Sequence, residues 1–358
     1  MKHLTILNST AGNYSLREQD KICRALSGME GKVLFTSNLS LLEQALQDQN
    51  EYSPDLLGIG GGDGTFSHTL TAVKEIWGYI PDYIAAYALG TMNNVAMPLE
   101  ASDSIMDKIK QHTEWGDTRA VQLAKYIQKT VAEGEPPHVE NLIPLNMNGR
   151  LGFNLGFGLI PKLVWSYYGR SREEYNRAEQ ELQASLPRKY EMVLEQIMAE
   201  NLAARKSGII QAATTAFHTT MGLLKRSSPI SHFFNQPLDA RLYLDGVEID
   251  FFRPPTGIYI ASYEQQNMGI FRGTPSPGAR AIPGTMEVIL TSASVGDIVN
   301  DLPTILRGKP IGNTQYLRTT ELKIQSEQVI IGQMDGEFVV GKEFTIRPDT
   351  PLKFVSLR

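Results

Sequence analysis

The sequence predicts an α/β domain with a parallel sheet and helices on both faces, followed by an antiparallel β-sandwich domain carrying a helical insertion. Three observations point to it. From Met1 to about Ser104, short apolar runs alternate with amphipathic helical stretches, the rhythm of a parallel sheet covered by helices. Five of the seven residues from Gly58 to Gly64 are glycine, where one apolar run meets a helical stripe. After Glu133-Gly134-Glu135-Pro136-Pro137 the apolar runs shorten and turn residues separate them, the pattern of antiparallel strands.

In chain order, the first domain is expected to hold strands at His3–Leu7, Val33–Thr36, Leu56–Ile59 and Ile84–Leu89, and helices at Leu16–Leu26, Leu41–Gln49 and Phe66–Trp77. The last of these shows the clearest stripe, Phe66, Leu70, Val73 and Trp77, at spacings of four, three and four. Expected strands of the second domain are Val139–Met147, Gly152–Leu155, Arg241–Ile249, Thr256–Ala261 and Met286–Thr291. Asp335-Gly336 suggests a hairpin turn between Val329–Gly332 and Phe338–Val340, because Asp-Gly tolerates the positive φ angles of a tight turn. Asp245-Gly246 is a second pair of that kind. The domains are assigned to residues 1–130 and 131–340, with the insertion at about 162–234. Residues 341–358 are expected to pack back toward the first domain.

At 358 residues, 42% apolar and 20% charged, the composition is that of a soluble globular protein with room for two cores. The net charge of −5 argues against nucleic acid as a partner. One cysteine, Cys23, forms no internal disulfide, and the six histidines show no zinc spacing. The apolar run after Met1 is too short for a signal peptide, and no segment has the length of a membrane span. A cytoplasmic protein is expected, with any membrane contact peripheral. Between Lys162 and Phe234, ten Lys/Arg face seven glutamates, and Trp165, Tyr167 and Tyr168 open the segment. It reads as a solvated helical hairpin or as a docking face for anionic lipid. The oligomeric state is open, a homodimer included.

The glycine run closes as Gly61-Gly62-Asp63-Gly64-Thr65. Strand, glycine loop and helix together bring backbone N–H groups and a helix N-terminus up to a phosphate. A carboxylate beside phosphates is repulsive unless it holds a cation or handles a proton, so Asp63 suggests chemistry as well as binding. Neither G-x-x-x-x-G-K-[ST] nor G-x-G-x-x-G is present, which sets aside P-loop ATPases and dinucleotide dehydrogenases. Three further segments follow strand ends: Asn8-Ser9-Thr10-Ala11-Gly12, Thr36, and Leu89-Gly90-Thr91-Met92-Asn93-Asn94. In a doubly wound sheet, such strand-end loops converge on one crevice.

Gly61-Gly62-Asp63-Gly64-Thr65 and Leu89-Gly90-Thr91-Met92-Asn93-Asn94 resemble the diacylglycerol kinase catalytic domain. That superfamily includes sphingosine and ceramide kinases and, more distantly, NAD kinases. Phe153-Asn154-Leu155-Gly156-Phe157-Gly158, the stretch from Leu302-Pro303 to Gly308-Lys309, and Met334-Asp335-Gly336-Glu337 resemble elements of the bacterial soluble lipid kinases. The resemblance implies an NAD kinase-like first domain, a lipid-binding second domain, ATP and Mg²⁺ as cofactors, and a lipid substrate at a membrane surface. It implies phosphoryl transfer to a lipid hydroxyl such as that of diacylglycerol, a step in phospholipid metabolism. Its nucleotide site falls on Asn8, Ser9, Thr10, Ala11, Gly12, Thr36, Gly61, Gly62, Asp63, Gly64, Thr65, Thr91, Asn93 and Asn94. Its catalytic residues fall on Glu337 as acid–base, with Asp63 and Asp335, and Asp63 and Asp335 would also serve the metal. Three positions depart from the family pattern. His68 stands where a glutamate is usual, Pro283-Gly284 where a metal-binding Asp-Gly is usual, and Ile160 where some members place an acid for the lipid head group. A degenerate kinase fold that binds without turnover, or a kinase of a sphingoid or soluble acceptor, are the alternatives.

Overall fold

The computed structural model describes residues 1–11, 16–89, 117–162 and 235–357, apart from 252, 262–265, 269–270, 274–281, 283, 295–296, 298–300, 302–303 and 305–311. The expected helical insertion from 163 to 234, Gly12, Thr91, Asn93, Asn94, Pro283 and the Leu302–Lys309 stretch lie outside the described residues, except for Thr304.

The first domain alternates as its sequence suggests: β1 (His3–Asn8), α1 (Leu16–Leu26), β2 (Gly31–Thr36), α2 (Leu39–Asp48), β3 (Leu56–Gly61), α3 (Asp63–Trp77), β4 (Tyr83–Ala88) and α4 (Arg119–Glu133). Strands β2-β1-β3-β4 are parallel neighbours in that order. Helices cover both faces. Ile22, Ala25 and Leu26 of α1 and Val121, Ala124 and Ile127 of α4 pack with Leu7, Leu56, Ala85 and Tyr87. Leu42 and Leu46 of α2 and Phe66, Leu70 and Val73 of α3 pack on the opposite face with Leu4, Ile6, Leu57, Ile59 and Ile84. Burial on both faces explains why β1 and β3 read as continuous apolar runs.

α3 starts at Asp63, three residues before the apolar stripe begins. Its first turn is therefore made from the glycine motif itself. Asp63 lies in that turn, where the helix dipole favours a negative charge.

The second domain contributes β6 (Leu145–Met147), β7 (Arg150–Gly152), β8 (Asn154–Gly158), β9 (Arg241–Leu244), β10 (Val247–Glu248), β11 (Gly257–Ala261), β12 (Gln266–Met268), β13 (Phe271–Gly273), β14 (Met286–Thr291), β15 (Thr314–Thr319), β16 (Leu322–Met334) and β17 (Glu337–Pro348). Apart from the separate pair β12–β13, these form a ten-stranded sheet in which every pairing is antiparallel. The register of β16 and β17 shifts between Gln325 and Ile330, and β16 pairs with β9 before that irregularity and with β8 after it. Inward residues from both parts meet in one core, where Phe157 of β8 and Phe344 of β17 have ring centroids 5.0 Å apart. The sheet is thus packed on itself, in the manner of a sandwich.

Two further strands, β5 (Val139–Leu142) and β18 (Leu352–Val355), belong to the sheet of the first domain. Val139–Met147 is not one strand. Its first half, β5 (Val139–Leu142), joins the sheet of the first domain, and its second half is β6 of the second. The chain returns likewise: β17 runs in the second sheet to Pro348, and β18 (Leu352–Val355) pairs parallel to β4 and antiparallel to β5. Sheet membership therefore changes at 142–145 and at 348–352. Both crossings contain proline (Pro144, Pro348, Pro351), which withdraws a ladder donor and favours leaving a sheet. Asp349 N–H donates to Pro144 O at 2.8 Å, tying the two crossings together, and Lys74 of α3 binds the Asp349 carboxylate at 2.8 Å. Arg241–Ile249 also divides, into the hairpin β9–β10 around Asp245-Gly246 (φ 49° and 81°).

Candidate active site

In the order β2-β1-β3-β4, connections leave in opposite directions from β1 and β3, and a crevice opens at their C-terminal ends. β1 ends at Asn8, and β3 runs into Gly61-Gly62-Asp63. Asn8 Nδ2 donates to Thr65 Oγ1 at 3.0 Å, bridging the two strand ends. Asn8 Oδ1 accepts from the N–H and hydroxyl of Thr10 at 2.9 and 2.8 Å. Ser9 donates to Thr36 O through both its N–H (2.8 Å) and its hydroxyl (3.0 Å). Leu89 N–H donates to Gly61 O at 3.0 Å, so the segment that continues to Gly90 starts beside the glycine motif. Asn8, Ser9, Thr10, Ala11, Thr36, Gly61, Gly62, Asp63, Gly64 and Thr65 are thus gathered at one mouth.

The second domain reaches the same place. Met334 and Glu337 pair across a two-residue turn whose members, Asp335 (φ 52°) and Gly336 (φ 87°), both take positive φ. The hairpin turn expected from Asp-Gly is therefore real, and it also delivers two carboxylates. The side chain of Glu337 lies against Gly64: a Cβ there would be 2.6 Å from Glu337 Oε1. Glycine is what allows β17 to place a carboxylate on the first turn of α3.

Asp335 is buried. Its oxygens accept from Phe153 N–H and Asn154 N–H, each at 2.9 Å, and from Asn154 Nδ2 at 3.3 Å. Tyr259 OH donates to Asn154 Oδ1 at 2.7 Å, so the motif asparagine is itself held. Burial pushes the Asp335 carboxyl up to about 7, the negative charge of Asp63 adds to that, and the three hydrogen bonds oppose it. Two acids that repel each other in this way suit a divalent cation, which removes the repulsion. Magnesium typically takes one or two carboxylates and completes its shell with phosphate oxygens and water. Asp63 and Asp335 fit that demand, whereas no protein-only cluster of three or more metal-ligating acids, histidines or cysteines exists among the described residues.

His68 lies one helical turn beyond Gly64. Burial, and then the charge of Arg150, hold its imidazole down to about 4, so it is neutral at physiological pH. Gly284 (φ 76°) is an exposed turn residue, and Ile160 packs against Gly156, so neither position supplies an acid.

Sequence reasoning missed Arg150, Ser67 and Thr71. Ser67 Oγ donates to Leu151 O at 2.5 Å and Leu151 N–H donates to Thr71 Oγ1 at 2.9 Å, fastening β7 along α3. Asn148-Gly149 (φ 52° and 95°) marks the β6–β7 hairpin and was a readable turn signal. Nothing in the local sequence shows that the hairpin lands on α3.

Residues 2–126 match the diacylglycerol kinase catalytic domain. No curated protein sequence matches the chain. Among solved structures, a protein assigned as a diacylglycerol kinase from Bacillus anthracis str. Sterne superposes with a TM-score of 0.61 at 16% identity, covering 99% of this chain and 97% of its own. A diacylglycerol kinase from the same organism gives 0.59 at 14% identity, covering 99% and 96%. At these identities the likeness speaks for the two-domain fold, and the match over 2–126 speaks for the kinase-type catalytic domain. The strand-end crevice with its Gly-Gly-Asp-Gly-Thr turn thus lies within the stretch that is similar to the diacylglycerol kinase catalytic domain.

Proposed function

We propose that the protein is an ATP- and Mg²⁺-dependent lipid kinase that transfers the γ-phosphoryl group to a hydroxyl of diacylglycerol or a similar lipid. One observation carries this reading: Glu337 of the second domain lies on Gly64 in the phosphate-binding turn of the first. Phosphoryl transfer demands mostly positioning and charge neutralisation, with one carboxylate placed to take the hydroxyl proton. The N–H groups and hydroxyls at Asn8–Ala11 and Gly62–Thr65 suit the nucleotide phosphates, aided by the N-terminus of α3. Asp63 and Asp335 would hold Mg²⁺, which neutralises phosphate oxygens when bound. Glu337 accepts the proton of the attacking hydroxyl. The hydroxyl oxygen forms its bond to the γ-phosphorus as the bond to the β–γ bridging oxygen breaks, and ADP leaves.

The lipid acceptor implies work at a membrane surface by a peripheral protein. No helix among the described residues is long and apolar enough to cross a membrane. A degenerate kinase is the second reading, favoured by the neutral His68 where the family usually has glutamate. The placement of Asp63, Asp335 and Glu337 together favours turnover.

The deciding experiment measures transfer from γ-labelled ATP with Mg²⁺ to diacylglycerol, monoacylglycerol, ceramide or sphingosine in mixed micelles, with NAD as a soluble acceptor. A labelled lipid establishes the activity and names the acceptor. ATP binding with no transfer to any of them establishes the degenerate reading instead.

A further inference from the structure

The proposed chemistry gives no role to Arg150, although its setting is unusual. β7 consists of Arg150, Leu151 and Gly152, and alternate residues of a strand face the same way. A Cβ on Gly152 would lie 2.7 Å from Asp335 Oδ2. The face that Gly152 shares with Arg150 is therefore the one turned to the Asp335–Glu337 turn, while Leu151 enters the core beside α3. The hydrogen bond from Ser67 Oγ to Leu151 O and that from Leu151 N–H to Thr71 Oγ1 fix the backbone of β7 in that orientation. Nε and Nη2 of Arg150 are buried and make no hydrogen bond among the described residues.

Glu337 and then Asp335 favour the guanidinium charge, against a larger opposing effect of burial. The neighbour on α3, His68, is neutral and does not compete for it. A buried N–H without a partner is unfavourable. A cation kept in such a place acts through its field on the acids around it.

We propose that Arg150 is a positioning residue, the fixed counter-cation of Glu337 and Asp335, keeping Glu337 beside Gly64 and weakening divalent-cation capture at Asp335 before nucleotide arrives. The kinetic half of this proposal rests on the kinase reading, and the metal half does not. Losing one positive charge at a few ångströms changes the affinity for a divalent cation about tenfold or more.

The test compares the full-length wild type, Arg150→Gln and Arg150→Lys. Mn²⁺ alone, without nucleotide, is titrated by electron paramagnetic resonance, and kcat and KM for ATP are measured with diacylglycerol in mixed micelles. Arg150→Gln is expected to bind Mn²⁺ about tenfold tighter, and its kcat to fall about tenfold with KM for ATP within about threefold. Arg150→Lys is expected to restore both towards wild type. Should Arg150→Gln fail to fold, Arg150→Met takes its place, because it keeps an apolar stem and removes the unpartnered donors. Unchanged Mn²⁺ affinity in the charge-removing variant overturns the proposal, as does a rise in KM with kcat intact, which would make Arg150 a substrate contact. If the wild type transfers no phosphate, the kinase reading fails and the Mn²⁺ titration still decides the role of Arg150.

Discussion

Gly64→Ala tests the site without changing any charge. The added Cβ would stand 2.6 Å from Glu337 Oε1, 3.0 Å from its Cγ and 3.2 Å from its Cδ. Restoring an ordinary contact of 3.4 Å requires the carboxylate to retreat by about 0.8 Å. Glu337 is the part that yields, because a flexible side chain moves more readily than the first turn of a helix packed on a sheet. A displacement of roughly 1 Å in a catalytic group lowers turnover about 100-fold. Stability goes the other way or stays level: alanine is favoured over glycine in a helix by up to about 1 kcal/mol, partly offset by the shifted glutamate. The expected result is kcat down about 100-fold with a melting temperature unchanged or raised by a few degrees. Stopped or steady-state phosphate transfer and a thermal melt measure the two. The double variant Gly64→Ala/Glu337→Gln should be no slower than Glu337→Gln alone, since both act through one carboxylate. Turnover within threefold of wild type would refute the placement of Glu337. So would a melting temperature several degrees lower, because the helix rather than the glutamate would then have moved.

Asp63→Asn and Glu337→Gln should each abolish phosphate transfer while circular dichroism and melting behaviour stay near wild type, and near-normal rates in both would sink the mechanism. Asp335 supplies a pH dependence whose sign is fixed. Its folded-state carboxyl is raised to about 7 from 3.8, so folding is penalised as pH rises from about 4 to about 7, and the penalty is absent below that window and complete above it. Asp335→Asn keeps a residue that tolerates φ 52° and removes the charge, so the stability of the variant relative to wild type, from urea unfolding without Mg²⁺, should rise between pH 4 and 7. A difference independent of pH would contradict the assigned burial. Thr71→Val leaves Leu151 N–H without its 2.9 Å acceptor and should destabilise the protein by about 1–3 kcal/mol in the same unfolding measurement, an effect that a solvent-filled junction between β7 and α3 would erase.

Much of the first domain was readable because its signals are local. A parallel strand buried on both faces is a continuous apolar run, whereas α2 starts at Leu39, two residues before the expected Leu41, after Asn38, whose side chain accepts from Leu41 N–H at 2.9 Å. The second domain was harder. β5 and β6 are separated only by Ile143-Pro144 but belong to different sheets, a choice made by distant partners, β18 for one and β17 for the other. The long strands β16 and β17 carry an irregular register and mixed burial, so no clean alternation exposed their length.

The sequence by itself determined the strand–glycine–helix unit around Asp63 and the Asp335-Gly336 turn, because backbone preference and helix capping depend on residues a few positions apart. It could not determine that these two features meet. Only the tertiary structure decided that Glu337 rests on Gly64, that Asp63 repels the buried Asp335, and that Arg150 faces the same acids. The physical reason is the reach of the forces involved. Torsional preference acts along the chain, whereas contact between carboxylates, a guanidinium and a helix N-terminus requires two packed domains to bring remote segments within a few ångströms, where burial strengthens each charge.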